Sequence, residues 1–239
     1  MHVHLPKPLH GWRAFVGEVG IVVFGVLIAL GADQLVQGAH ERAEAREADS
    51  AIRGELEQNM AKLGSRWEKR ACVANRLDEL QALIGSGDAN GTIKTPNWVG
   101  RPQFWTMTMA RWQTSSQAGR AALLPPDELA LYGSMYAYMA NVNAEMTQEQ
   151  DDWAKLRSLE NLQRLSPEMA FQLASTLHEA RYINWRIGVW TTQLRVLSNR
   201  LHLQTVAPND IPPSRSVCIA MSTPRKQAVG ESNSPYGDP

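Results

Sequence analysis

The stretch SPEMAFQLASTLHEARYINWRIGVWTTQLRVLSNRL, residues 166–201, decides the fold. Ser166 is placed to cap a helix N-terminus, and Pro167 suits a first helical turn, where its missing N–H has no intrahelical partner to lose. Met169, Leu173, Thr176, Ala180, Ile183, Ile187, Trp190, Leu194, Leu197 and Leu201 then alternate steps of four and three. That spacing puts one apolar face along a helix and predicts coiled-coil-like packing against a second helix.

The second helix lies just upstream. Pro125, Pro126, Asp127 and Glu128 mark its start, with acidic side chains near the positive end of the helix dipole. Its ladder is Leu129, Tyr132, Tyr136, Met139, Asn143, Met146, Gln150 and Trp153, with polar rungs at Asn143 and Gln150. A short connector near 163–166 makes the two helices an antiparallel hairpin. Before it, a shorter helix is expected from Gln103 to about Leu123, striped by Trp105, Met109 and Trp112, after irregular chain at 96–102. His40 to Ile84 reads as one long stalk helix through Ile52, Leu56, Leu63, Val73, Leu77, Leu80 and Ile84, weakened by Gly54 and Gly64 and ended by GSGDANG at 85–91. Stalk and short helix complete a four-helix bundle over 39–203. The Pro- and Ser-rich segment 204–239 cannot bury enough apolar surface to order itself and is expected to be a disordered C-terminal tail.

Ahead of the stalk, residues 14–32 are apolar or glycine except for Glu18. At about 1.5 Å per residue they reach roughly 28 Å, close to the ~30 Å hydrocarbon core of a bilayer. A transmembrane helix over 14–36 follows, with 1–13 as a short flank, Trp12 and Arg13 as interfacial anchors, and the lipid bilayer as a partner. A cleaved signal peptide is the competing reading, with Ala29-Leu30-Gly31 as its cleavage site; Glu18 within the apolar run and the helical pattern soon after it argue against cleavage. Glu18, Gly25, Ala29 and Ala32 share one stripe of this helix. Small residues permit close helix approach and a glutamate can hydrogen-bond across it, so the stripe is a candidate contact for a homo-oligomer or another membrane protein. The other reading of Glu18 is a carboxylate reaching back to the interface.

Gly17-Glu18, the apolar run containing Gly25, Ile28-Ala29-Leu30, CVANRLDEL at 72–80, Arg111-Trp112 and GRAALL at 119–124 resemble a family of bacterial single-pass membrane proteins classed as a domain of unknown function. The resemblance implies an anchor and a helical domain. It carries no activity and no catalytic residue.

Charge and chemistry narrow the function. Lys plus Arg and Asp plus Glu are 24 each in 239 residues, so no basic footprint for nucleic acid stands out. Flanking charges do not orient the anchor. The isolated pair Cys72 and Cys218 fits a disulfide in an oxidising compartment, which would place the bulk of the chain in the periplasm and the anchor in a bacterial inner membrane; two free thiols are the alternative. His178-Glu179 opens like a zinc-protease motif, but Tyr182 stands where the second histidine belongs. The glycine loop 85–91 lacks the Lys-Ser/Thr of a phosphate loop, and Asp88-Ala89-Asn90-Gly91 lacks the closing glutamate of a calcium loop. No catalytic residue, metal ligand or cofactor site is expected, and the protein is expected not to be an enzyme. Arg111, Trp112, Trp153, Arg181, Trp185, Arg186 and Trp190 are candidates to line an anion-gripping cleft. The expected role is protein–protein interaction as an adaptor, assembly partner or envelope component; the alternative is a ligand-sensing bundle that needs a separate transducer.

Overall fold

The computed structural model describes residues 11–208 and 217–224. The expected flank before Gly11 and most of the expected tail lie outside the described residues. Among the described residues the fold is all-α, with five helices: α1 (Gly11–Glu68), α2 (Arg70–Gly85), α3 (Ala110–Gln117), α4 (Pro126–Leu156) and α5 (Pro167–Arg200). Single 3-10 turns at Arg120–Leu123 and Arg157–Asn161 bracket α4.

α5 begins as its residues dictate, with Pro167 in the first turn and the Ser166 hydroxyl accepting from Met169 N at 3.1 Å. Its inner face buries Leu173, Ala180, Ile183, Ile187, Leu194 and Leu201; Leu177 and Thr191 take the buried places beside the expected Thr176 and Trp190. The α4–α5 connector is longer than the expected 163–166, because the 3-10 turn over Arg157–Asn161 precedes it.

Anchor and stalk are one object. α1 runs from Gly11 to Glu68 without a break, so the stalk continues directly from the apolar span, and its N-terminal portion is long and apolar enough to cross a membrane. Every side chain from 15 to 37 is exposed, so nothing else in the described chain covers that portion. The stalk does break at Lys69, inside the expected single helix: Lys69 N donates to Arg66 O at 3.2 Å, a tight i→i−3 turn, and α2 resumes at Arg70.

Pairing across the bundle shows its direction. Asp49 meets Tyr132, Glu55 meets Tyr136, Asn59 meets Met139 and Arg66 meets Glu149, so the numbers rise together and α1 lies parallel to α4. Against α5 they fall: Arg53 donates to Leu201 O at 2.6 Å, Arg66 to Asn184 at 3.0 Å, and Arg181 of α5 to Gln81 of α2 at 2.7 Å. Two apolar cores result. The core nearer the apolar span gathers Ile52, Leu56 and Leu63 with Tyr132, Met139, Met146, Ile183 and Ile187. The far core gathers Val73, Leu77 and Leu80 with Trp153, Leu156, Leu173 and Ala180.

The expected helix from Gln103 to Leu123 is shortened to α3 and the 3-10 turn, because residues 103–109 form no regular secondary structure. Two asparagines hold them so. Asn143 accepts from Met107 N at 2.8 Å and donates to Met107 O at 2.9 Å; Asn59 accepts from Thr108 N at 3.0 Å and donates to Thr108 O at 2.7 Å. Each amide replaces a peptide group, which satisfies buried backbone that a helix would otherwise pair internally. The loop after α2 meets the α4–α5 connector through Ile93 N to Gln163 O (3.0 Å) and Leu165 N to Gly91 O (2.8 Å). Gly91 has φ +74°, and a Cβ there would collide with the Leu165 carbonyl. Asp88 serves this turn, its Oδ1 accepting from Asn90 N and Thr92 N at 2.8 Å each.

The part of the tail that is described is the part attached to the bundle through Cys218. Leu203 packs on the near core, and Gln204 N donates to Glu57 at 2.8 Å. Cys218 is bonded to Cys72 of α2, Val217 is buried, Arg76 donates to the Ile219 carbonyl, and Asn97 donates to Ser222 O at 3.1 Å. Residues 217–224 are part of the fold.

The bridge joins residues 146 apart in sequence, a loop long enough that its closure restricts the unfolded chain considerably. We expect Cys72→Ser with Cys218→Ser to lower unfolding free energy by about 2–4 kcal/mol. Limited proteolysis should then cut within 217–224 while α4 and α5 stay intact; an unchanged denaturation midpoint and cleavage pattern would show that the noncovalent contacts hold the segment alone.

Candidate functional site

Between the two cores lies a layer of charge. α1 carries its buried face through Ile52, Leu56, Asn59, Leu63 and Arg66 in steps of four and three, so Arg66 points inward where an apolar residue is the rule. α4 answers with Glu145, Glu149 and Asp152, all buried. Arg66 and Glu149 are 2% and 0% exposed and meet at 2.6 Å. The same Arg66 Nη2 donates to Asn184 Oδ1 on α5. Asp152 Oδ1 accepts from Lys155 and Gln148 at 3.2 Å each, and Arg186 pairs with Glu145 at the edge of the layer. Arg66 Nε, Glu149 Oε2 and Asp152 Oδ2 are buried and have no hydrogen-bond partner among the described residues.

Burial pushes the Glu149 carboxyl above its ordinary range; Arg66 opposes this, and neighbouring Asp152 adds to it. Glu145 is raised by the same cause against the pull of Arg186. Both directions follow from removing carboxylates from water faster than the available guanidinium groups compensate.

Beside this layer, at the α1–α2 break, a groove of 510 Å³ opens against α5. Arg66 and Asn184 line it with Trp67, Arg70, Arg181 and Trp185. The guanidinium groups of Arg70 and Arg195 lie over the Trp67 ring, 4.3 Å and 4.9 Å from its centroid. Opposite, Gly188 presents only backbone: a Cβ there would already touch the Trp67 ring at 3.5 Å. Trp185 is 61% exposed and stacks on Tyr182, ring centroids 5.7 Å apart. Arg181 is held on the rim by Asp78 and Gln81, at 2.7 Å each.

Of the seven residues expected to share a cleft, Arg181 and Trp185 line this groove, and Arg186 lies at the layer's edge. The others are elsewhere. Trp153 is sealed in the far core, Trp190 packs on Tyr138 at 5.4 Å, and Trp112 stacks on Tyr136 at 5.2 Å. Arg111 lies in the first turn of α3, its backbone N bonded to Glu55 at 3.1 Å. The expected set is therefore not one cleft, since helical spacing placed these residues on faces that turn to different neighbours. Arg66, Trp67 and Arg70 escaped the sequence reading, although a cation in phase with an apolar ladder was a usable signal. Glu18, Gly25, Ala29 and Ala32 lie on the exposed part of α1, and a Cβ at Gly25 would meet nothing within 4 Å. Among the described residues, no group of three or more His, Cys, Asp or Glu is placed to hold a metal ion. No family model, curated protein or solved structure matches the chain.

Removing one partner of a buried ion pair leaves the other charge uncompensated, whereas replacing both by apolar residues of similar volume is often neutral or stabilising. Glu149→Ala is expected to cost about 3–5 kcal/mol, and Arg66→Met combined with Glu149→Leu to recover most of it, by urea unfolding at neutral pH. Equal losses in the single and double variants would mean that packing, and not charge, governs the layer.

The raised Glu149 pKa also has a sign. Its contribution to stability is complete below the ordinary carboxyl value of 4.5 and is lost as pH rises through the higher folded-state value. Wild type should therefore lose stability relative to Glu149→Gln as pH increases above 4.5; a wild type that instead gains stability relative to Glu149→Gln over that range would reverse the assignment.

Proposed function

We propose that this protein is a single-pass, membrane-anchored interaction protein of the bacterial inner membrane, whose helical bundle works outside the cytoplasm by contact with another membrane or envelope protein and carries out no catalysis. The observation that carries this reading is the outer face of α5. Opposite its buried ladder, that helix exposes Phe171 (74%), Tyr182, Trp185 and Val196 along one side of a well-packed body. Large apolar side chains kept in water along one helix face mark contact surfaces in folded proteins. The form of α1 agrees with such a role, because a helix without interruption to Glu68 sets the bundle at a fixed distance from the span.

The Cys72–Cys218 bridge supports the compartment, since structural disulfides persist where thiols are not kept reduced. The Glu18, Gly25, Ala29 and Ala32 stripe is a second contact under the same reading, made within the bilayer to another copy or to a larger membrane protein.

A photo-crosslinking residue at Phe171 should yield a discrete adduct in intact cells, and one at exposed Ala154 on α4 should not. Phe171→Glu with Val196→Glu should reduce recovery of that partner from detergent extracts by about tenfold. Alkylation without reductant should leave both cysteines unlabelled. Equal adducts at both positions, with recovery untouched by the substitutions, would remove α5 as the contact face; labelled thiols in freshly isolated protein would remove the periplasmic placement.

A further inference from the structure

We propose that the groove between the α1–α2 break and α5 binds an organic anion: a flat aromatic or apolar body carrying one carboxylate. This goes beyond the contact role above and does not depend on it.

Charge is the first reason. Three guanidinium groups, Arg66, Arg70 and Arg181, line the groove, and no Asp or Glu side chain does. Their commitments differ. Arg66 is tied to Glu149 and Asn184 but keeps an unpartnered Nε although 2% exposed. Arg181 is matched on the rim by Asp78. Arg70 has its ring contact with Trp67 and one hydrogen bond, Nη1 to the Trp67 carbonyl at 3.0 Å, and no carboxylate partner among the described residues. A planar guanidinium stacked on an indole is already oriented, so it loses little freedom when its free N–H edge takes a carboxylate.

Shape is the second reason. A volume of 510 Å³ falls within the range of small-molecule sites, which are mostly apolar with a few placed polar groups. Trp67 and Trp185 supply aromatic surfaces, while Asn184 and Thr192 add polar positions among alanine, glycine and valine. The Trp67 ring is already packed on Gly188, so the exposed Trp185 ring is the surface left for an aromatic plane to lie against. A hydrophilic anion such as inorganic phosphate would leave those walls uncovered, and a neutral aromatic would leave Arg70 unanswered. The same chemistry is presented by a free aromatic acid and by the C-terminal residue of a peptide.

Titration calorimetry on the full chain in nanodiscs, with empty nanodiscs as reference, tests this with three probes: 1-naphthoate, neutral 1-naphthamide, and N-acetyltryptophan as a mimic of a chain end. 1-Naphthoate should bind at least about tenfold more tightly than 1-naphthamide, in keeping with a charge-assisted hydrogen bond. Arg70→Gln should abolish that preference, and Trp185→Ala should weaken both naphthalene probes; both positions are exposed, and unchanged circular dichroism and thermal midpoint confirm folding of the variants. Tighter binding of N-acetyltryptophan than of 1-naphthoate identifies a chain end as the source, and the reverse order a free acid; either supports the site. No binding of either carboxylate up to about 5 mM, where even a very weak site would register, overturns the proposal. So does equal affinity for naphthoate and naphthamide, or a preference that survives Arg70→Gln.

Discussion

The ion pair between Arg66 and Glu149 sits where both apolar cores end, and much of the bundle is arranged around it. A guanidinium and a carboxylate that are 2% and 0% exposed have lost nearly all contact with water, so each depends on the other and on Asn184. That dependence ties α1, α4 and α5 together at a single level. Sliding any of these helices by one turn would move a charge into Leu63 or Met146 on one side, or toward Trp153 on the other. Buried ion pairs add little net stability compared with apolar packing, but they penalise the wrong register heavily. Apolar contacts alone are interchangeable methyl and methylene groups, so the charged layer, together with the Asp49–Tyr132 and Glu55–Tyr136 pairs, distinguishes one alignment from its neighbours.

The polar rungs at Asn59 and Asn143 extend this logic. They lie on helix faces that otherwise bury apolar side chains, and each pairs with a stretch of backbone, Asn59 reaching the Met139 sulfur as well. The irregular segment 103–109 can therefore pass between α1 and α4 with the peptide groups of Met107 and Thr108 satisfied, placing Trp105 and Met107 in the near core. Farther along, Arg76 does the same for two carbonyls, Val99 and Ile219, beside the Cys72–Cys218 bridge. Irregular chain is held to a helical frame at each level by a side chain that imitates secondary structure.

The groove follows from the same layer. Arg66 reaches it because the charged level comes next to the turn at Lys69, and that turn brings Trp67 and Arg70 against α5. Gly188 leaves room for the indole. The outer face of α5 continues past the groove as exposed Phe171, Tyr182, Trp185 and Val196, so one helix serves the core on one side and presents aromatic surface on the other.

The helical class, the α4–α5 hairpin, the apolar span and the pairing of the two cysteines were legible in the chain, because each is a matter of local period, of length, or of elimination. A four-and-three ladder in α5 and an apolar run in α1 need no partner to be recognised. The bundle's remaining features were set by neighbours. Residues 103–109 have a helical pattern yet are irregular, since Met107 and Thr108 take hydrogen-bond partners from Asn143 and Asn59 far along the sequence. Lys69 has neither proline nor glycine beside it and still ends a helix. The seven candidate cleft residues lay at sensible spacings but on faces that meet different elements, while Arg66, Trp67 and Arg70 met Arg181 and Trp185 only when α1, α2 and α5 came together. Periodicity reports which side chains share a face; which faces meet is decided by burial and charge pairing across the whole chain, and the groove exists only at such a meeting.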